Sequence, residues 1–433
     1  MRVYWNFTFR DKLNDKSISV MATADINFNC EQPEFIAYIQ PQNIDQIEML
    51  DKIIGWNNIT VQVLGIDGTN YILYGWRYKS CSQRWGRGNF VATILATFDR
   101  AVQQENPNTR YHSCSFTFHD IEKLFPYESF QTKFESEPDG NIQFQKSMKK
   151  ICMTSIASGI KANVDSHYDG IIQSDKLYQL NVVQTKRMTI EFEKDVDLDY
   201  ILEFLNRIKR YFEFVYYCEI HLMDIVLVVN KQEYTTDKII YSQFDKDIRE
   251  PRNVQEIKYY GNYDNLLNGL KGWLSIYDIY FSGIQIWLKQ IYNFRVDITD
   301  LILWNSQAIE ALCESNSEIY RKSKILANEI DGNEKKPKQL REPNLKNYIT
   351  SLCETYGYFE NLDPQFITDI KKVRDKLTHN NPKKKVSQLQ LDNSLRLSRH
   401  IAQKFLCSLI NLEGMPASCV LSAQLPTGEK KLL

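Results

Sequence analysis

Asp363-Pro364-Gln365-Phe366-Ile367-Thr368-Asp369-Ile370-Lys371-Lys372-Val373-Arg374-Asp375-Lys376-Leu377-Thr378-His379-Asn380-Asn381-Pro382 decides the class of the C-terminal half, because its ends and its middle all favour helix. Asp363 can cap free backbone N–H groups, and Pro364 suits the first helical position. Asn380-Asn381-Pro382 is a stop signal. Between these limits Phe366, Ile370, Val373 and Leu377 recur at helical spacing and define a core stripe. At about 100° per residue, Arg374 lies about 60° from the centre of that stripe, and Asp375 and His379 about 160° from it in either sense. Core packing therefore does not account for His379.

Helical spacing extends on both sides of this stretch. Leu266, Leu270, Trp273, Leu274, Tyr277, Ile284, Trp287, Leu288 and Ile291 mark a long amphipathic run, and further helices are predicted over 299–315, 344–357, 364–380 and 391–412. The hydrophilic insert Asp331-Gly332-Asn333-Glu334-Lys335-Lys336-Pro337-Lys338 reads as a mobile loop. Upstream the pattern changes. Thr60–Leu64, Tyr71–Trp76, His112–His119 and Met188–Glu193 are alternating or aromatic and β-branched runs, with turn signals at Asp67-Gly68-Thr69-Asn70 and Pro138-Asp139-Gly140-Asn141. One helix is predicted over 197–217 from Leu198, Ile201, Leu202, Leu205, Ile208 and Phe212, followed by the strand Ile225–Val229. The fold class expected is α+β. A β-rich region spans 1–250, with a candidate subdomain break near 160; an all-α bundle spans 262–415; a tail covers 416–433. The polar segment 245–264 marks the boundary.

A chain of 433 residues exceeds one ordinary core, so two or three domains are expected. Its 43% hydrophobic and 25% charged residues are those of a globular protein. Lys+Arg number 53 against 54 Asp+Glu, so attraction to a polyanion has to come from local clustering. Such a cluster exists. Across 369–385, Lys371, Lys372, Arg374, Lys376, Lys383, Lys384 and Lys385 face only Asp369 and Asp375.

No apolar run reaches the length that spans a bilayer, and the N-terminus lacks the apolar core of a signal peptide. The nine cysteines are scattered, odd in number and without a CxxC pair, which argues against a disulfide framework or structural zinc. A cytoplasmic location is the expectation.

The chemistry gathers on the quoted helix. Asp375 and His379 are spaced so that the carboxylate can approach the imidazole, while Lys371 competes for Asp375 at the same spacing. Arg374 is long enough to reach past Thr378 towards the helix end. Arg374-Asp375-Lys376-Leu377-Thr378-His379 resembles the motif of the HEPN superfamily: arginine, a polar residue, a short spacer and histidine, carried on a small helical bundle. A β-rich half placed before such a bundle resembles the ApeA-like group of anti-phage HEPN proteins.

The resemblance implies metal-independent RNA cleavage by a homodimer or higher homo-oligomer joined through the helical bundle, both motifs meeting at one composite site and leaving 2′,3′-cyclic phosphate and 5′-OH ends. No metal and no cofactor is implied. His379 would serve as general base or acid and Arg374 would bind the scissile phosphate. It also implies abortive infection as the role, with host or phage RNA (tRNA among the candidates) as target and a phage-derived trigger acting on the N-terminal region. Asp375 and Glu310, the latter in Gln307-Ala308-Ile309-Glu310-Ala311-Leu312, are supporting candidates; Lys371, Lys376, Lys383, Lys384 and Lys385 are candidates for RNA binding. Ile279-Tyr280-Phe281 and Ile284-Gln285-Ile286-Trp287 offer apolar surface for the dimer contact.

Plainer readings stand beside these. An arginine and a histidine at a helix end are usually solvated surface, Asp375 can be a simple partner of Lys371, and the lysine run can be a solvated loop. Arg396 and His400 share a helix without the motif's spacing and read as surface. His112, Cys114 and His119 fit alternating strand residues better than a metal site, and Trp5, Trp76 and Trp85 fit aromatic core. The competing functions are a HEPN domain that binds RNA or a partner without cutting, and a toxin restrained by a neighbouring antitoxin.

Overall fold

Period-two alternation calls for strands and helical spacing for helices, and the computed structural model contains both in that order. Strands lie mostly in the N-terminal half and helices in the C-terminal half, so the fold class is α+β. The structure describes residues 2–11, 16–27, 34–39, 59–64, 70–86, 89–98, 100–103, 109–118, 121, 134–136, 142–144, 154–172, 180–230, 235–241, 263–292, 297–329, 341–357, 364–379 and 385–412. Asp363, Asn380–Pro382, Lys383, Lys384, His119, the insert 331–338, most of the boundary segment 245–264 and the tail 416–433 lie outside the described residues.

The chain forms two compact units. One comprises Met1–Thr154, Gly159–Phe204 and His221–Arg252; the other comprises Ser155–Ser158, Leu205–Ile220 and Asn253–Leu433.

In the first unit the strands are β1 (Arg2–Asp11), β2 (Lys16–Asn27), β3 (Glu34–Ile39), β4 (Ile59–Leu64), β5 (Asn70–Gly86), β6 (Asn89–Thr97), β7 (Arg100–Gln103) and β8 (Tyr111–Phe118). They continue with β9 (Phe134–Ser136), β10 (Ile142–Phe144), β11 (Thr154–Ala157, of which only Thr154 falls in this unit), β12 (Ile160–Ile172), β13 (Leu180–Val196), β14 (Leu222–Asn230) and β15 (Thr235–Tyr241). β9 and β10 pair with each other; the rest form one sheet in the order β11-β12-β13-β8-β14-β15-β7-β5-β4-β1-β2-β3-β6. Strands from both sides of residue 160 share this sheet, so no sheet boundary falls at the subdomain break expected there.

β5 changes partners along its length: its first half pairs with β4 and β7, and Arg77–Gly86 pair with β6. Since β6 also pairs with β3, the ladder β5-β4-β1-β2-β3-β6 returns to β5 and closes, while β11 remains the edge of the sheet at its other end. Burial follows the pleat: Met188, Ile190 and Phe192 are core while Thr189, Glu191 and Glu193 face outward. At Asp224, with φ of 49°, the pairing of β14 with β8 slips, and the buried set changes phase from Leu222 to Ile225 and Leu227.

Helix α1 (Leu198–Tyr216) buries Leu198, Ile201, Leu202, Leu205, Ile208 and Phe212, the residues whose spacing predicts it. In the second unit follow α2 (Tyr263–Ile276), α3 (Phe281–Tyr292), α4 (Ile298–Ser315), α5 (Ser317–Glu329), α6 (Leu345–Tyr356), α7 (Pro364–His379) and α8 (Gln388–Leu409). Two features differ from the expectation. The amphipathic run from Leu266 to Ile291 is two helices, parted by a turn at 277–280 in which the Tyr280 N–H still donates to the Ile276 carbonyl. The apolar spacing passes through this turn because Tyr277 and Tyr280 are themselves buried.

Helix α5 is the second difference. Its buried stripe is Ile319, Ser323 and Ala327, too small and polar to register as hydrophobic periodicity. Asn316 starts it by accepting the Ile319 N–H at 3.1 Å.

Helix α4 packs against α3, α5, α6, α7 and α8, which makes it the spine of this unit. Ile302, Ala308, Ile309, Leu312 and Cys313 on it are sealed from solvent. Of the apolar surface anticipated in the sequence, Tyr280, Ile284 and Trp287 are core, while Ile279 and Phe281 are 61% and 50% exposed. Among the described residues no helix is long and apolar enough to cross a membrane.

His400 on α8 corrects the surface reading: it is largely buried, and burial together with Lys404 pushes its imidazole down to about 4 from 6.5. The folded chain thus binds that proton later than the unfolded chain, so the contribution is fully present above pH 6.5 and is lost as pH falls towards 4. The loss is at most about 3 kcal/mol. His400→Gln should flatten this acid limb, measured as urea midpoints at pH 7 and pH 4.5; an unchanged slope would reject the burial argument.

Gly272 supplies a second test. A Cβ there would stand 2.3 Å from the Ile410 carbonyl oxygen, a backbone atom that cannot step aside cheaply. Gly272→Ala should destabilise the protein by about 1–3 kcal/mol through overpacking, read as a lower melting temperature.

Candidate active site

Ile367, Ile370 and Val373 are the buried face of α7, whereas Phe366 and Leu377 are half-buried. The stripe therefore begins one residue later than the sequence spacing suggests. Relative to its centre, Arg374 lies only about 40° away and His379 about opposite. That rotation explains the state of each side chain. Arg374 is drawn inward and His379 is exposed at the helix end.

The Arg374 guanidinium turns towards α4 and does not run along its own helix towards His379. Its Nη2 donates to Glu310 Oε1 at 2.5 Å, and its Nη1 donates to Asp375 Oδ1 at 3.2 Å. The Arg374, Glu310 and Asp375 side chains keep only 25%, 18% and 19% of their surface exposed, so these charges meet in a partly dehydrated setting where their attraction is strong. Burial pulls the guanidinium pKa down, but the bonds and charges of Glu310 and Asp375 outweigh it and raise the pKa above its ordinary value. Arg374 is a permanent cation held in one orientation.

Asp375 is committed to cations. Besides Arg374 it has Lys371, whose Nζ stands 3.8 Å from Oδ2. The structure thus brings together Glu310, Arg374, Asp375 and Lys371. Lys376 is half-buried on α7 and Lys385 is exposed just before α8. Neither makes a salt bridge among the described residues. The basic cluster is partly compensated inside the fold, since Arg374 and Lys371 already have carboxylates.

The approach of α8 to α7 rests on Gln390, which the sequence reading left out. Its side-chain amide donates to Asp369 on α7 at 3.2 Å. Its backbone N–H donates to Ser387 Oγ, while its side-chain Oε1 accepts the Ser387 N–H. The signal was present as Ser387-x-x-Gln390, a capping box that starts α8 earlier than its hydrophobic spacing does. Asp369, counted as a negative charge within the basic run, is a bridge between helices.

The residues set aside in the sequence have ordinary surroundings. His112 Nδ1 lies 3.5 Å from Asp195 Oδ1 across neighbouring strands, and burial pushes the Cys114 thiol well up. Among the described residues no group of three or more His, Cys, Asp or Glu side chains could hold a metal ion. The side chains of Trp5, Trp76 and Trp85 lie outside the described residues. No protein-family model, curated protein or solved structure matches the chain.

Chemically, the arrangement can offer a rigid guanidinium to an oxyanion and a solvent-exposed imidazole to a proton, both from one helix. The Glu310–Arg374 contact is testable by itself. Glu310→Gln should destabilise the fold by about 1–2 kcal/mol, and a double-mutant cycle with Arg374→Gln should show coupling of similar size. Coupling near zero in urea unfolding would show the pair to be incidental.

Proposed function

We propose that the helical unit is a HEPN-type endoribonuclease that works without a metal ion, with Arg374 and His379 as its catalytic residues. The observation that carries this reading is the oriented, permanently charged guanidinium of Arg374 on the helix whose end exposes His379. The residue pattern of the HEPN superfamily supports it, as does its setting in a bundle built round α4.

RNA carries its own nucleophile in the 2′-OH, so an enzyme cleaving it needs only to move protons and stabilise charge. In this proposal His379 removes the 2′-OH proton or supplies one to the departing 5′-oxygen. Arg374 stabilises the charge that grows on the phosphate in the transition state. Glu310 and Asp375 keep the guanidinium from collapsing onto other groups, at the cost of partly neutralising it. The strand closes to a 2′,3′-cyclic phosphate and leaves a 5′-OH.

One histidine per chain covers one of the two proton roles. The proposal therefore includes a homodimer joined through the helical unit, whose two-fold axis passes near His379. Ile279 and Phe281 supply exposed apolar surface for the same association. The biological setting proposed is a cytoplasmic response to phage infection in which RNA cleavage arrests the host, with the β-rich unit as sensor.

Incubating purified protein with RNA in EDTA tests the chemistry. Wild type should cleave, and His379→Ala should lose ~10²–10⁴-fold. Arg374→Lys should also fall sharply, because it keeps the charge and loses the planar fork. Full activity in either folded variant would end the nuclease reading. RNA that is bound but never cut would favour the binding-only HEPN domain.

Neutralising Lys383, Lys384 and Lys385 together should weaken RNA binding and reduce its dependence on salt concentration. An unchanged salt slope would make that run a solvated loop.

A further inference from the structure

Away from α7, three residues in contact with one aromatic ring each carry a buried N–H with no acceptor among the described residues. Tyr217 follows the last residue of α1 with φ of 55°, a backbone state uncommon for a bulky side chain. Its hydroxyl donates to Gln290 Oε1 at 3.0 Å, its ring meets Trp287 at 5.6 Å between centroids, and the Arg399 guanidinium lies 5.1 Å over it. Gln290 and Trp287 are on α3 and Arg399 is on α8, so three helices converge on this ring within the second unit.

Gln290 Nε2, Trp287 Nε1 and Arg399 Nε are each buried without a hydrogen-bond partner among the described residues. Gln290 is 6% exposed and Trp287 1%, so bulk water does not solvate these groups freely. Buried N–H groups left unpaired are costly, and several at one place call for an acceptor.

Charge points the same way. Arg399 has no carboxylate partner among the described residues. Nearby on α1, Lys209 and Arg210 share the single carboxylate Glu213, which also accepts the Tyr292 hydroxyl and the Ile220 N–H. Arg210 also leaves its buried Nε unpaired. The cluster thus has more cations and more donors than acceptors. Arg399, Arg210 and Tyr217 themselves are half-buried.

We propose that Arg399, Gln290 and Trp287, gathered round Tyr217, bind a phosphate group. A phosphate oxygen accepts from guanidinium, amide and indole N–H alike, and it supplies the negative charge that Arg399 lacks. The group arrives either on a small nucleotide or as a phosphodiester of an RNA strand. This site is separate from the Arg374 pair and does not depend on RNA being cut.

Calorimetric titration of the full chain with inorganic phosphate tests the site, using wild type, Arg399→Gln, Gln290→Glu and Arg374→Ala. Gln290→Glu keeps the acceptor for Tyr217 and places a built-in carboxylate among the donors, so it tests the site even where Arg399→Gln folds poorly. Wild type and Arg374→Ala should bind one phosphate saturably, and the Arg399 and Gln290 variants at least about tenfold more weakly. ATP and a 2′-O-methyl RNA oligomer, which cannot be cleaved through a 2′-OH, then separate the sources, and the tighter ligand identifies the carrier. Absence of saturable phosphate binding to wild type would overturn the proposal. So would binding lost with Arg374 and retained without Arg399 in a folded variant.

Discussion

A guanidinium on α7 meeting a carboxylate on α4 organises the helical unit's candidate chemistry. Arg374 and Glu310 meet at 2.5 Å where α7 packs against α4, a helix that also packs against α3, α5, α6 and α8. Two half-buried charges of opposite sign recover part of the hydration they lose through each other. With Asp375 added, one guanidinium answers two carboxylates, and Lys371 completes the balance. Such a cluster is rigid and nearly neutral overall. An incoming phosphate would meet a well-aimed cation already screened by its own supports, so the advantage lies in orientation more than in long-range attraction.

That balance explains which parts of the site were legible in the sequence. Helix α7 was readable because Pro364 and the apolar steps from Ile370 to Val373 are local signals. The inward lean of Arg374 was less so, since Ile367 and not Phe366 starts the buried face. Sequence spacing allowed Asp375 to turn to His379, Lys371 or Arg374. The position of α4 decides where the guanidinium goes, because Glu310 on that helix accepts from its Nη2. Proximity of residues 310 and 374 is a tertiary fact that no local pattern contains.

Elsewhere the misses have equally specific causes. Helix α5 escaped because its buried positions carry serine and alanine, with Ser323 bonded to Ser351 on α6 at 2.9 Å. The division of α2 from α3 was hidden because the turn between them keeps its tyrosines inside. In the β-rich unit, alternation reveals strands but not their partners. Nothing in Tyr71–Gly75 announces that β5 leaves β7 and continues along β6. Yet that change of partner is what closes the ladder.

The helical unit holds two arginines in contrasting electrostatic states, and the contrast bears on how an anion would distinguish them. Arg374 has its charge answered by Glu310 and Asp375, so a phosphate reaching it must displace or share existing hydrogen bonds. Arg399 rests on the face of an aromatic ring, a weaker partner than a carboxylate, and keeps a buried N–H unpaired. Ground-state binding favours the uncompensated cation. A preoriented cation is better suited to charge that develops only during reaction, because its supports hold it through the change. Arg399 is thus the better placed to capture a phosphate, and Arg374 to act on one.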